Sequence, residues 1–362
     1  MLNATELPGI VEATRSYEAW MQGHVRLRAD DLDTKHQRMA ASPLEFLRGT
    51  FYRYVQCWPN LAGAFPEALT VPVIGDIHLE NFGTWRDVAG RLVWGVNDFD
   101  EAWALPYALD LVRLGVSARL AIQTGNLTLP AREVAPTVLE GYQEGLNSGG
   151  RPFVLEADHA WLRKVVTAER NAERYWAKVQ ALPQLNPPGP AQAVEVLRSA
   201  MPGGSDLRFA HRIAGLGSLG RERLLVLTEW CGGPVAMEAK ALVPSAAAWA
   251  GEVRGAESAA ESVLAGTVRS RDPSALFRQG YSVRRLSPSA QRLDLADLAT
   301  RGDERRLLHA MGQEIANVHL GEPARGPTVV RDLKTRGEDW FSERMEQGAA
   351  QVMADWEAWQ HR

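Results

Sequence analysis

The sequence predicts an α+β protein of two lobes, a larger helical one and a smaller one built on an antiparallel sheet. Three observations lead there. The chain has 362 residues, more than one average domain needs. Its first half repeats apolar residues mostly at helical spacing. After a proline-rich break at residues 182–190, short strand-like runs punctuated by glycine take over.

Taken in order, residues 1–60 form an N-terminal helical segment with basic patches (Arg26, Arg28, Lys35, His36, Arg38), in which Ser42-Pro43 marks a helix start. Residues 61–190 make the helical lobe. Within it, 71–74 and 92–96 read as short buried strands, 108–120 and 131–146 as helices, and 156–179 as one long charged helix. Residues 200–300 make the small β-rich lobe, with strands over 207–213, 223–229, 235–242 and 281–286 and a helix over 253–268. Residues 301–362 are helical again over 304–319 and 337–359 and are expected to return to the helical lobe. No internal repeat is evident.

A hydrophobic content of 45%, 23% charged residues and a net charge of −4 describe an ordinary globular chain. They give no global pull toward nucleic acid or an anionic membrane. With only two cysteines, Cys57 and Cys231, no disulfide framework or multi-cysteine zinc site is suggested. The first twenty residues carry Glu6, Glu12 and Glu18 with no apolar core, so no signal peptide is expected. No run is long enough to span a bilayer, and a cytoplasmic location is the expectation.

The chemistry concentrates in Gly75-Asp76-Ile77-His78-Leu79-Glu80-Asn81 and Asn97-Asp98-Phe99-Asp100-Glu101. Asp76 precedes Asn81 by five positions, the D-x-x-x-x-N spacing of kinase-type catalytic loops, and Asp98-Phe99 follows a strand-like run. Such spacing lets one loop aim a carboxylate at a substrate hydroxyl and an amide oxygen at a metal, while the next strand end brings a second carboxylate. Mg²⁺ suits this arrangement because it takes few protein oxygens and fills the rest with water and phosphate. Gly-Asp and Asn-Asp also form ordinary turns; the two motifs together favour the site.

A second constellation is Gly215-Leu216-Gly217-Ser218-Leu219-Gly220, a G-x-G-x-x-G match. In a dinucleotide-binding fold it would open a helix, with Glu238 near the acidic position. In a kinase-type lobe it would join two antiparallel strands, its backbone N–H groups over phosphates, with a lysine on the next strand. The strand-like run after the loop favours the second, and Lys240 occupies the lysine's place. Glu252, Glu257 and Glu261 are candidate partners for it; otherwise Lys240 is a solvated edge-strand residue.

The catalytic-loop motif precedes the glycine loop, the reverse of ordinary kinases, and a circular permutation reconciles the two. On that reading residues 304–319 pack behind the catalytic loop. The loop 76–81, Asp98-Phe99 and Asp110 resemble the aminoglycoside and choline phosphotransferase branch of the protein-kinase-like superfamily. Arg38-Met39, Ser42-Pro43, Phe46-Leu47-Arg48-Gly49, the two acidic motifs, Pro106, Asp110 to Arg113, Ser117, the glycine loop and Lys240 also resemble an uncharacterised bacterial family, domain of unknown function 2252.

The phosphotransferase resemblance implies a two-lobed, protein-kinase-like fold, circularly permuted, that uses ATP and Mg²⁺ on an unknown small-molecule hydroxyl. Asp76 would be catalytic, Asn81 and Asp98 metal ligands, Lys240 the phosphate anchor, and Gly215, Gly217, Ser218 and Gly220 nucleotide-binding. Asp100 and Glu101 replace the glycine of Asp-Phe-Gly, so either is a further metal ligand or faces solvent. His78 is expected to orient the loop by hydrogen bonding and Asp110 to tie its backbone. Arg48 and Arg113 would meet phosphates or form buried carboxylate pairs. Alternatives are a non-catalytic nucleotide-binding protein, an AMP-transferring enzyme of the same build, and a two-metal phosphoesterase; the last lacks its downstream histidine motifs.

Overall fold

In the computed structural model the chain is α+β with small antiparallel sheets. It describes residues 7–63, 69–167, 171–203, 206–290, 292 and 301–362; residues 293–300, expected to end the small lobe, lie outside these. Four helices open the chain: α1 (Ile10–Gln22), α2 (Ala29–Ala41), α3 (Pro43–Gly49) and α4 (Phe51–Ala62). Ser42 caps α3 by accepting from the Glu45 N–H at 3.2 Å, with Pro43 at the first helical position.

β1 (Thr70–Val73) leads to the loop 75–81 and pairs with β4 (Trp103–Pro106). Between them β2 (Phe82–Arg86) and β3 (Leu92–Val96) form a hairpin extended by β5 (Phe153–Val154). Helices α5 (Ala108–Gln123) and α6 (Ala131–Ser148) build the core of this lobe. The long charged helix expected over 156–179 is instead two, α7 (Ala160–Thr167) and α8 (Ala172–Gln180), the second capped afresh by Asn171.

The proline-rich break carries a cis Asn186–Pro187 bond and leads into α9 (Ala191–Ala200). A five-stranded antiparallel sheet follows: β6 (Arg208–His211), β7 (Arg223–Trp230), β8 (Gly233–Ala241), β9 (Leu276–Arg278) and β10 (Tyr281–Leu286), in the order β6-β7-β8-β10-β9. Short helices α10 (Ala246–Ala250) and α11 (Ala260–Gly266) lie between β8 and β9. The helix expected over 253–268 is thus confined to its second half, because Gly255 turns the chain at φ +65°. Helix α9 covers the outer face of the sheet, where Val196 and Leu197 meet Val226, Met237 and Val283.

Helices α12 (Arg301–His319), α13 (Gly326–Thr335) and α14 (Trp340–Gln360) rejoin the large-lobe core, to which Leu307, Met311, Ile315 and Phe341 contribute. The crossing of α12 on α6 is close because glycines face backbone. A Cβ on Gly141 would sit 2.0 Å from the His309 carbonyl oxygen, and one on Gly312 2.2 Å from that of Val138. Among the described residues no helix is long and apolar enough to cross a membrane.

Candidate functional site: a charged cleft between the lobes

The loop bearing Asp76 is fixed from beneath. Asp110, at the start of α5 and fully buried, accepts from the N–H groups of Ile74 (2.8 Å) and Gly75 (2.9 Å). His319 at the end of α12 contacts the same carboxylate at 3.1 Å and shares a 2.8 Å hydrogen bond with Tyr142. Gly75 has φ +81°, and a Cβ there would lie 2.3 Å from the Glu101 carbonyl oxygen, so only glycine lets the two acidic motifs approach.

Asp76 is paired with Arg113, whose guanidinium is wholly buried and lies 4.8 Å and 5.1 Å from the ring centroids of Tyr54 and Phe51. Arg113 also donates to the Leu47 carbonyl at 2.8 Å. It therefore orients the aspartate instead of reaching toward a phosphate. Burial pushes the Asp76 carboxyl above its ordinary range, with the Arg113 charge opposing.

Asn81 donates through Nδ2 to the carbonyls of Asp76 (3.0 Å) and Asp98 (3.3 Å). Its Oδ1 accepts from no group among the described residues. One amide oxygen and one carboxylate fit Mg²⁺ when phosphate and water complete its shell. Among the described residues no three His, Cys, Asp or Glu side chains gather around a metal position.

Lys240 lies on β8, the strand after the glycine-loop hairpin, in the middle of its sheet and not at the edge. It is buried and contacts Asp98 at 3.0 Å and Asp100 at 2.6 Å. None of Glu252, Glu257 and Glu261 pairs with it; the two aspartates of the other lobe take that role. Packing around Asp98 penalises its charge, but the Lys240 ammonium outweighs this and holds the carboxyl well below its usual range. Asp100 is driven the other way, by burial and then by the Asp98 charge, to about 6. Glu101 is neither a metal ligand nor solvated: it is buried, pairs with Arg221 at 2.9 Å and accepts from the Ala246 N–H at 2.7 Å. The His78 side chain makes no hydrogen bond to the loop among the described residues, where only its backbone carbonyl accepts from the Asn81 N–H at 2.9 Å; its Nδ1 is buried and unpartnered. Burial, with Arg48 and Arg113 nearby, keeps it neutral. Arg48 forms ion pairs with Glu45 and Glu80.

The glycine loop joins β6 to β7 and overhangs Asp76: a Cβ on Gly217 would lie 3.0 Å from Asp76 Oδ2. Gly215 and Gly220 adopt φ +71° and +96°. Among the described residues the N–H groups of Leu216 and Gly217 donate to no protein group. Ser218 is not free, because its hydroxyl accepts from Arg223 at 2.6 Å. The loop's outer side rests on α2. Arg28 N–H donates to the Gly220 carbonyl (2.8 Å), Lys35 Nζ to that of Gly217 (3.2 Å), and Asp31 pairs with His211 (2.9 Å).

Sequence reasoning missed the arginines. Glu238, two residues before Lys240 and on the same face of β8, is buried among Arg212, Arg223 and Arg284. Burial disfavours its charge, but the three guanidiniums hold the carboxyl well below its ordinary range. The i, i+2 spacing of Glu238 and Lys240 was the available signal. The three arginines line a cleft of about 760 Å³, mouth included, floored by Asp76, Asn81 and Asp98 and roofed by residues 214–218.

Comparison with known families bears on half of this cleft. Residues 27–179 match the family described as "Uncharacterized protein conserved in bacteria (DUF2252)". The DUF2252 match spans α2 to α8 with Asp76, Asn81 and Asp98 and stops before the glycine loop and Lys240. No curated protein and no solved structure matched the chain.

Proposed function

We propose that this protein is a Mg²⁺- and ATP-dependent phosphotransferase of protein-kinase-like, circularly permuted build, acting on the hydroxyl of a small molecule. The observation that carries it is the Lys240–Asp98 contact, which joins motifs 142 residues apart in one cleft. The layout of the small lobe supports it. A glycine loop joins its first two strands, the lysine lies on the third, and helices follow before the last pair, as in kinases. His319 of α12, bonded to Asp110 behind the Asp76 loop, supports the permuted order.

In this reading Asp76 orients the acceptor hydroxyl and takes its proton; a carboxyl raised by burial is the better base. Arg113 holds the carboxylate in one direction. Lys240 exchanges the two aspartates for phosphate oxygens, and the Leu216 and Gly217 N–H groups meet the same anion. Mg²⁺, held by Asp98 and the Asn81 amide oxygen, would supply charge neutralisation on the phosphates. Transfer of AMP is the second reading, favoured by the three arginines on Glu238, which would suit a departing pyrophosphate.

Calorimetric titration of Mg-ATP into wild type, Asp98→Asn and Lys240→Ala tests this. Saturable binding by wild type, weakened at least about tenfold in both variants, is expected from losing one charged contact. Absence of binding to wild type with either Mg²⁺ or Mn²⁺ would refute it. Phosphorus NMR of the products separates ADP from pyrophosphate.

A further inference from the structure

The cleft has a second compartment on the far side of Lys240, and its chemistry is unlike the first. Around the glycine loop the only apolar side chains among the described lining residues are Ala214 and Leu216, and none offers an aromatic carbocycle. The apolar stretch of the inner sheet face is not available either. Ala210, Leu225, Leu227, Ala236 and Leu286 are covered by Tyr175, Trp176 and Val179 of α8. A phosphate chain finds partners there; a nucleobase does not.

Beyond Lys240, between α11 and strands β9 and β10, lies a space of about 650 Å³, mouth included, walled by Trp85, Phe99, Leu264 and Phe277. It shares Asn97, Asp98, Asp100 and Arg284 with the first compartment, so the two adjoin at the Lys240 ion pairs, which a bound phosphate would have to open. Arg269 also lines it, lying 4.1 Å from the Trp85 ring centroid and 5.3 Å from that of Phe99. Its Nη1 donates to the Val96 carbonyl at 3.1 Å, but its Nε is buried with no partner. A buried N–H left unpaired costs free energy that an acceptor recovers. Aromatic walls beside a guanidinium are what a flat heterocycle stacks against.

We infer that this aromatic compartment holds the nucleobase, with the phosphate chain running past Lys240 toward the glycine loop and the arginines. The inference rests on the nucleotide-dependent reading above and adds which compartment takes which end of the nucleotide. The base then lies on the side of Lys240 away from the glycine loop, and the terminal phosphate lies toward the glycine loop above Asp76.

The test compares Mg-ATP with Mg-tripolyphosphate, which carries the anion and no base, by calorimetry. Two variants alter the compartment: Phe277→Ala removes a wall, and Ser282→Trp, from a lining residue paired across the sheet with Lys240, fills it. Expected is at least tenfold weaker ATP binding in both, with tripolyphosphate affinity unchanged within twofold, which also reports an intact fold. ATP affinity unchanged by both variants would overturn the inference. So would an equal loss for both ligands, or a wild type that binds tripolyphosphate as tightly as ATP. If wild type binds neither ligand, the phosphotransferase reading itself fails.

Discussion

Replacing Lys35 by methionine should change how stability depends on pH. Lys35 is buried on α2 with the Gly217 carbonyl as its one hydrogen-bond partner among the described residues and the Tyr52 ring 5.8 Å away. Burial lowers its pKa from 10.5 to about 8, with Glu18 partly opposing. The unfolded chain therefore holds this proton up to higher pH than the folded one does. Between about pH 8 and pH 10.5 the unfolded state binds more protons, so the stability of wild type rises across that window. At about 1.4 kcal/mol per pKa unit, the rise attributable to Lys35 is about 3 kcal/mol. Methionine has similar length and no charge, so the variant lacks this rise. In urea unfolding at a series of pH values, the variant's stability relative to wild type should fall by about 3 kcal/mol from pH 7 to pH 10.5. A difference that stays flat over that range would refute the argument, because the buried ammonium would then carry no desolvation cost.

Two further outcomes test the loops. Asp110→Ala leaves the Ile74 and Gly75 N–H groups without their acceptor, so unfolding free energy should drop by about 3 kcal/mol; a loss under about 1 kcal/mol would mean the loop is held elsewhere. Gly217→Ala places a methyl 3.0 Å from Asp76 Oδ2 and 3.2 Å from the Arg48 carbonyl. Mg-ATP affinity should fall at least tenfold while unfolding stays within about 1 kcal/mol of wild type.

How far the sequence could be read depended on whether a signal was local. Strands β7, β8 and β10 each have a glycine near one end and are rich in strand-forming residues, so their places could be read within a few residues. The break between α7 and α8 depends on Asn171 preferring a cap to a helix interior, a weak local signal inside a charged, helix-like run. The partner of Lys240 is a matter of which lobe closes on it, and spacing along one strand carries no such information. Lys35 was hidden for another reason. Asp31, Lys35 and Met39 recur at i, i+4, i+8 and form the buried face of α2. Two of the three are charged, so periodicity alone assigns that face to solvent. Glu101 was misread similarly: an acidic residue beside a motif looks like a ligand until Arg221 is seen across the cleft.

The glycine-lined crossing of α6 and α12 also sets an order of events during synthesis. Helix α6 ends at Ser148, but the partner that fills the hollows at Gly141 and Gly145 begins only at Arg301. The intervening chain includes the whole five-stranded sheet. A nascent chain leaving the ribosome can therefore finish its second lobe while the first still shows a bare helix face, and the first closes last. The lobe that carries Asp76 is sealed only once His319 has emerged to meet Asp110.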